Sequence, residues 1–479
     1  MTKKVISRRE MIGMIAAGTA AIATGVAFNS REIEIDDASK KNTNTNTENF
    51  SGENGSKIKK KIIIIGAGIS GLAAAEKLAS EGYDSLILEA TDKVGGRIQT
   101  TREPGFAFDL GASWIHGTKN NPITKLAKNA KNSTREYDFE NISLYLDNGK
   151  KISTKDYKTA EAKLEEIISE ISENAQDTES FKTAIDRLYP NIETDPTIKF
   201  LLSNYLTFDT GELTQLSAQL VDEGEEFSGP EVVIVNGYDL IAKQISKDLE
   251  IKYNEQVKQI NTENNEIRIT TNNNIYTSQI VVVTVPLGTL KAQTIEFKPP
   301  LSSEKKNAIA NLGFNTVNKF AIQFNETFWD DTDFLGLCVD KQSEQDIGTF
   351  FLNVNKMQKQ SHSLMTFAYG EAAHRSENMS DEEILELITT NLKKMYPTKA
   401  LPPTKVFRSK WNSDPNTKGS YTFLSTSSTL EDIDILATQQ EQIYFAGEHT
   451  HREYFSTVHG AYLSGQRAAQ EILDSFKQQ

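Results

Sequence analysis

The sequence predicts an α/β protein, a parallel sheet flanked by helices, with an inserted α+β part of helices and antiparallel sheet. Three observations predict it. Ile62 to Ile65 are four β-branched residues in a row, which suits a strand buried on both faces. Gly66-Ala67-Gly68-Ile69-Ser70-Gly71 follows at once and opens an alanine-rich helix. A second apolar run, Ser85 to Leu88, ends at Glu89, eighteen residues beyond Gly71. Strand, glycine turn, helix and acid make a βαβ unit with the spacing of a dinucleotide fingerprint.

Each glycine in that turn has a physical task. Gly66 allows the tight turn, Gly68 lets backbone approach a pyrophosphate, and Gly71 lets the helix pack close to the strand. The pyrophosphate would sit on free N–H groups at the helix start. Glu89 would accept hydrogen bonds from a ribose, which argues against a 2′-phosphate there. Gly95-Gly96-Arg97 adds a cation on a flexible turn. Together these residues resemble flavoproteins that hold FAD in a glutathione-reductase-like fold.

At 479 residues the chain is long enough for two or more domains. It has 52 Lys+Arg against 66 Asp+Glu, a formal charge of −14. That disfavours a general nucleic-acid binder, whose surface must be positive. A single cysteine, Cys338, excludes an intrachain disulfide and a cysteine-rich metal site, and no metal is expected.

The first 30 residues read as a targeting segment. Ser7-Arg8-Arg9-Glu10-Met11-Ile12 resembles a twin-arginine export signal, followed by an uncharged, mostly apolar run to Phe28. Export of an already folded, cofactor-loaded protein to the periplasm fits that route in a bacterium. The run from 11 to 28, about 27 Å as a helix, is also long enough for an uncleaved, outward-facing membrane anchor. Residues 31–60 are polar, lack apolar periodicity and read as a disordered linker. Residues 1–60 hold ten Lys/Arg and seven Asp/Glu, which leaves 42 against 59, or −17, on the rest.

Further along, small residues around Trp114 and His116 suggest a loop passing close to a ligand. Residues 155–206 have helical spacing in Leu164, Ile167, Ile168 and Ile171. The run 219–229 is acidic, with Asp222, Glu223, Glu225 and Glu226, and reads as a solvated turn. Ile280 to Val285 reads as another buried strand, and Asn318 to Phe324 alternates as an antiparallel strand should. Ser380 and Glu383 form a capping box for a helix to Met395. Ile443 to Glu448 repeats the strand–glycine–acid pattern, and a last helix is expected to end at Ile472. No second GxGxxG occurs, so a separate NADPH domain is not expected. The expected domains are FAD-binding over 61–120, 230–295 and 405–479, and substrate-binding over 121–229 and 296–404.

Over roughly residues 60–479 the blocks resemble the flavin-dependent amine oxidases: monoamine oxidases, polyamine oxidases and flavin histone demethylases. The motifs are GAGISG at 66–71, DLGASWIHG at 109–117, VVVTVPLGTLK at 281–291, NKFAIQF at 318–324 and FAGEHTHREYFSTVHGAYLSGQRAA at 445–469. The last stretch is most similar to spermine and acetylpolyamine oxidases. The resemblance implies FAD held by the turn Gly66, Gly68, Ser70 and Gly71, by Glu89 and Arg97, by backbone at Val257, and by Glu448, Thr457 and Val458. It implies that Lys319 reaches flavin N5 through a water, that Tyr421 is one wall of an aromatic cage, and that His116 stands at the active-site rim. Two departures matter. Thr457 stands where monoamine oxidases have the second cage tyrosine, which favours a polyamine-type site. Ser420 stands where they have the cysteine that carries covalent FAD, so the FAD is expected to be non-covalent.

The implied reaction is oxidation of an amine, with hydride passing to flavin N5 and oxygen as the final acceptor, giving aldehyde, a smaller amine and hydrogen peroxide. The partners are then a small amine, expected to be a polyamine, and O2. Three rivals share the motifs in part. They are an L-amino-acid oxidase, a desaturase or protoporphyrinogen-type oxidase, and an FAD-stabilised interaction protein without turnover.

Overall fold

A computed structural model describes residues 62–103, 106–206, 211–264, 266–339 and 347–477, with backbone alone at 6–7, 58–59 and 205–206. Apart from the backbone at 6–7 and 58–59, the export signal and linker read in residues 1–60 lie outside the described residues, and Ile58–Lys59, expected as the end of the linker, is an edge strand. Among the described residues, no helix is long and apolar enough to cross a membrane.

Ile62–Ile65 is the central strand of a five-stranded parallel sheet. The order is Glu250–Lys252, Leu86–Leu88, Ile62–Ile65, Ile280–Val283, Ile443–Phe445. The period-two alternation of a strand explains why four isoleucines follow one another. Ile62 and Ile64 pack on a helical layer with Leu72, Ala73 and Ala469. Ile63 and Ile65 face a second sheet through Ile260, Ile267 and Ile269. That second sheet runs Glu296–Lys298, Val257–Glu263, Glu266–Thr271, Ile275–Ser278, Ile58–Lys59. The helices Ile69–Ser80 and Val458–Lys477 approach so closely that a Cβ on Gly465 would lie 2.0 Å from the Ser70 carbonyl. The last helix runs past its expected end at Ile472 because its final turns still have something to cover. Leu473 is buried and Phe476 stacks on Tyr83 at 5.0 Å.

The other half is a six-stranded sheet, ordered Lys405–Arg408, Val317–Gln323, Ser363–Tyr369, Phe350–Asn353, Phe334–Cys338, Ile142–Leu146. Helices Thr154–Asn174, Phe181–Leu188 and Pro196–Leu201 share a core with Phe350, Met365 and Ala321 on one face. Helix Asp381–Met395 covers the other, packing Ile384, Ile388 and Leu392 on Phe320 and Ile322. Its capping box is formed: the Ser380 hydroxyl accepts from Glu383 N at 3.2 Å, and Ser380 N donates to the Glu383 carboxylate at 2.7 Å.

Two expected boundaries move. Residues 296–312 do not belong with the substrate-side sheet, because Glu296–Lys298 pairs with Val257–Glu263, and Ala308 and Leu312 pack in the core with Ile260. Residues 405–408 do belong with it, because Lys405–Arg408 pairs with Phe320–Gln323 at its edge.

Candidate active site

Between the two halves lies a cavity of about 480 Å³. One end is the glycine turn. Gly66 has φ +106°, open to glycine and strained for other residues, and a Cβ on Gly71 would lie 2.0 Å from the Gly66 carbonyl. Gly71 therefore serves packing and does not line the cavity, whereas Gly66, Gly68 and Ser70 do. A Cβ on Gly68 would meet nothing within 4 Å. The helix that starts there has no side-chain cap, which leaves its first N–H groups for a ligand. Ser70 also ties the helices together, its hydroxyl 3.3 Å from that of Ser464. The second glycine turn closes on the first: Gly95 N donates to Ala67 O at 2.9 Å.

Glu89 ends its strand buried in the cavity wall. One carboxylate oxygen accepts from Ala67 N at 2.7 Å, the other from Thr91 N and Oγ1 at 2.8 Å each. A carboxylate has about four acceptor positions, so capacity remains for a ribose hydroxyl. Val257 lines the same wall.

Arg97 crosses to the far strands. Its Nη1 donates to Glu448 at 2.8 Å and to the Ser420 carbonyl at 2.7 Å. Burial of Glu448 opposes its ionisation, but Arg97, His449 and the hydrogen bonds from Arg97 and Thr422 outweigh that, and its pKa is lowered. Thr457 and Val458 begin the last helix beside them. The Thr457 hydroxyl is a cap, accepting from Gly460 N at 2.9 Å and donating to Tyr454 O at 2.7 Å.

Lys319 stands at the other end. Strand alternation puts it on the same face as Val317 and Ala321, so it points into an apolar layer. Its Nζ donates to Gly111 O at 2.5 Å and to Ser113 Oγ at 2.6 Å. It lies 5.0 Å from the Trp114 ring centre and 5.9 Å from that of Phe367. Burial drives its pKa far below that of an ordinary amine, and Asp109 partly restores it. Tyr421 pairs with Asn315 in a short strand and lines the cavity with Trp411. Thr457 lines the same cavity.

His116 Nδ1 is 2.7 Å from a Glu231 oxygen, and Gly117 N donates to the other oxygen at 2.7 Å. Glu231 is a residue that sequence reasoning missed. It precedes the strand Val232–Ile234, whose register against Trp114–Ile115 brings it to His116. The acidic run, which reads as a solvated turn, supplies Asp222, Glu225 and Glu226 to the cavity lining, joined by Glu453. Burial and the charge of Glu453 raise the pKa of Glu225. Among the described residues, no cluster of three or more His, Cys, Asp or Glu could hold a metal ion.

A glycine cradle with an uncapped helix start, an acid at the next strand end and an arginine–glutamate pair beyond fit FAD, and the fold and site are those of a flavoprotein. The family model for flavin-containing amine oxidoreductases matches residues 69–473. Polyamine oxidase 4 of Oryza sativa subsp. japonica is 32% identical over 432 residues, covering 86% of this chain and 88% of its own. Human lysine-specific histone demethylase 2 is 31% identical over 86% of this chain, which spans 53% of that protein. A structure of putrescine oxidase bound to putrescine superposes with a TM-score of 0.72 at 20% identity, over 88% of this chain and 100% of that one. The chain belongs to the flavin-containing amine oxidoreductases and is an FAD-dependent amine oxidase.

Proposed function

We propose that the substrate is a polyamine and that the products are an aldehyde, a shorter amine and hydrogen peroxide. The observation that carries this reading is the set of carboxylates in the cavity wall: Asp222, Glu225, Glu226, Glu231 and Glu453. A chain bearing several ammonium groups can use several of them, whereas a monoamine has one charge to offer. The names of the relatives support the same class.

When bound, the flavin supplies the two-electron acceptor, taking hydride from the carbon beside the reacting nitrogen and passing electrons to oxygen. The chain supplies the rest. Gly66, Gly68, Ser70, Glu89, Arg97, Val257, Glu448, Thr457 and Val458 hold the cofactor, with Gly71 shaping the turn. Phe367, Trp411 and Tyr421 exclude water, and that desolvation favours the neutral form of the reacting amine. His116 and Glu231 bind a distal ammonium. Lys319 holds a water or a proton beside the reaction. Among the described residues Arg97 is the one arginine in the cavity lining, and its guanidinium is committed to Glu448, so a site for an amino-acid carboxylate is not favoured.

A peroxide assay over a small amine panel tests the reading. Spermine, spermidine or their acetylated forms should outperform benzylamine and phenylethylamine, and Glu231→Gln should raise KM for the polyamine about 10-fold or more. Turnover restricted to aromatic monoamines would remove the polyamine reading and leave the amine oxidase standing.

We also propose export by a twin-arginine route, with residues 11–28 either removed or retained as an anchor. The support is Arg8-Arg9 before an uncharged apolar run, together with an FAD cofactor, which suits a route that carries folded proteins.

A further inference from the structure

Asp109 closes the strand Phe106–Asp109 and is buried. Its Oδ1 accepts from the Thr100 hydroxyl at 2.5 Å and from Tyr238 N at 3.0 Å. These donors orient the carboxylate without neutralising it. The nearby surface charges are already engaged with each other. Arg102, on the neighbouring strand, grips Asp239 at 2.6 and 2.8 Å, and Lys243 reaches the same carboxylate at 2.6 Å. Of the charges acting on Asp109, Lys319 favours its ionised form and Asp239 opposes it. Arg102 also feels its field.

Asp109 also begins the loop that grips Lys319. Gly111 O and Ser113 Oγ accept two of the Nζ hydrogens, and the Ser113 hydroxyl donates on to Asp109 O at 3.2 Å. The remaining position on Nζ carries a third hydrogen in an ammonium and a lone pair in a neutral amine. Around it are the rings of Trp114 and Phe367, which bring no formal charge.

We propose that Asp109 is a positioning residue for amine oxidation, its buried charge deciding whether Lys319 presents a hydrogen or a lone pair to the cavity. The proposal rests on the reading of Lys319 as part of the active site. Burial pushes the Asp109 carboxyl up and the Lys319 amine down, so the two groups titrate close together and each controls the other. Loss of the Asp109 charge leaves burial unopposed, and Lys319 gives up its proton at lower pH.

The test is the titration of Lys319 in the FAD-loaded enzyme, followed by NMR of 13Cε-labelled lysine and assigned by the signal missing from Lys319→Met. Asp109→Asn keeps an oxygen for Thr100 and Tyr238 and removes the charge. Its Lys319 midpoint should fall by about one unit, a tenfold loss of proton affinity. Thr100→Val, a milder change that removes a donor favouring ionised Asp109, should shift it the same way by less. A midpoint that stays put in both variants overturns the proposal. In parallel, the pH profiles of flavin reduction and reoxidation should shift in Asp109→Asn but not when that change is added to Lys319→Met. A moved midpoint with unmoved profiles would keep the coupling and remove Lys319, and with it Asp109, from the reaction.

Discussion

Arg97 and Glu448, 351 positions apart in sequence, are joined by a 2.8 Å hydrogen-bonded ion pair in the cavity wall. The pair fastens the Gly95–Arg97 turn to the end of the Ile443–Phe445 strand. His449 continues the same segment, 2% exposed, with Nδ1 3.9 Å from the Glu448 carboxylate. Its neighbours Arg467 and Lys305 are cations, so protonating it there is unfavourable.

This arrangement predicts acid lability. Burial, more than the nearby cations, lowers the His449 pKa from 6.5 to about 4. An unfolded chain takes up a proton at this position below about 6.5, while the folded chain resists until about 4. In that window the unfolded state binds more protons, so stability falls as the pH falls. The contribution is on the order of 3 kcal/mol, at 1.36 kcal/mol per unit. Glu448 acts lower. Its lowered pKa gives stability that is present above 4.5 and lost as the pH drops through its folded value. Thermal melts of the FAD-loaded enzyme should decline from pH 6.5 to 4, and His449→Gln should flatten that limb. An equally steep limb in the variant would assign the lability elsewhere.

Ser420 gives a second prediction. Its hydroxyl accepts from Val317 N at 2.8 Å and donates to Val317 O at 3.0 Å, so the side chain is spent joining two strands. Cys338 is buried in the Phe334–Cys338 strand and does not line the cavity. Acid precipitation should therefore release all yellow colour into the supernatant. Flavin retained in the washed pellet would contradict a non-covalent site.

The export signal is tested separately. Arg8→Lys with Arg9→Lys should stop export and leave a folded, yellow protein in the cytoplasm. Undiminished export of the double variant would sink the assignment.

What the sequence made legible follows from how local each signal is. The Ile62–Glu89 unit could be read because strand, turn and helix are contiguous, and Gly71 answers a contact with the Gly66 carbonyl five residues back. The capping box at Ser380 is equally local. Glu231 was not legible, since its partner His116 is 115 residues away and it is the pairing of Val232–Val233 with Trp114–Ile115 that brings them together. The acidic run at 222–226 looked like a solvated turn because nothing in its spacing reveals a cavity. The boundary at 296 was misplaced for a similar reason. Glu296–Lys298 is a short edge strand that alternates like any other, and its allegiance is set by a parallel partner, Gln259–Asn261, far behind it.

Lys319 carries the last prediction. A lysine in an alternating strand is commonly solvated, yet here Val317, Phe367 and Trp114 surround it, and two acceptors hold its amine. Desolvating an amine is costly, and a buried one that lines a cofactor cavity is a functional candidate on physical grounds. Lys319→Met keeps the length and apolar stem and removes the polar tip. The variant should bind FAD as before, because none of its contacts belongs to the glycine turn or to the Arg97–Glu448 pair. Reduction by amine, reoxidation by oxygen, or both should slow by about 10²-fold, near 2.7 kcal/mol, an ordinary loss for one positioned polar group. Anaerobic and oxygenated stopped-flow traces separate the two half-reactions. Slow reoxidation alone would assign Lys319 to the oxygen step, and slow reduction alone would assign it to the amine. Unchanged rates in both would leave the lysine a structural tie for the Gly111–Ser113 loop, in which case the loss should appear as a lower melting temperature instead.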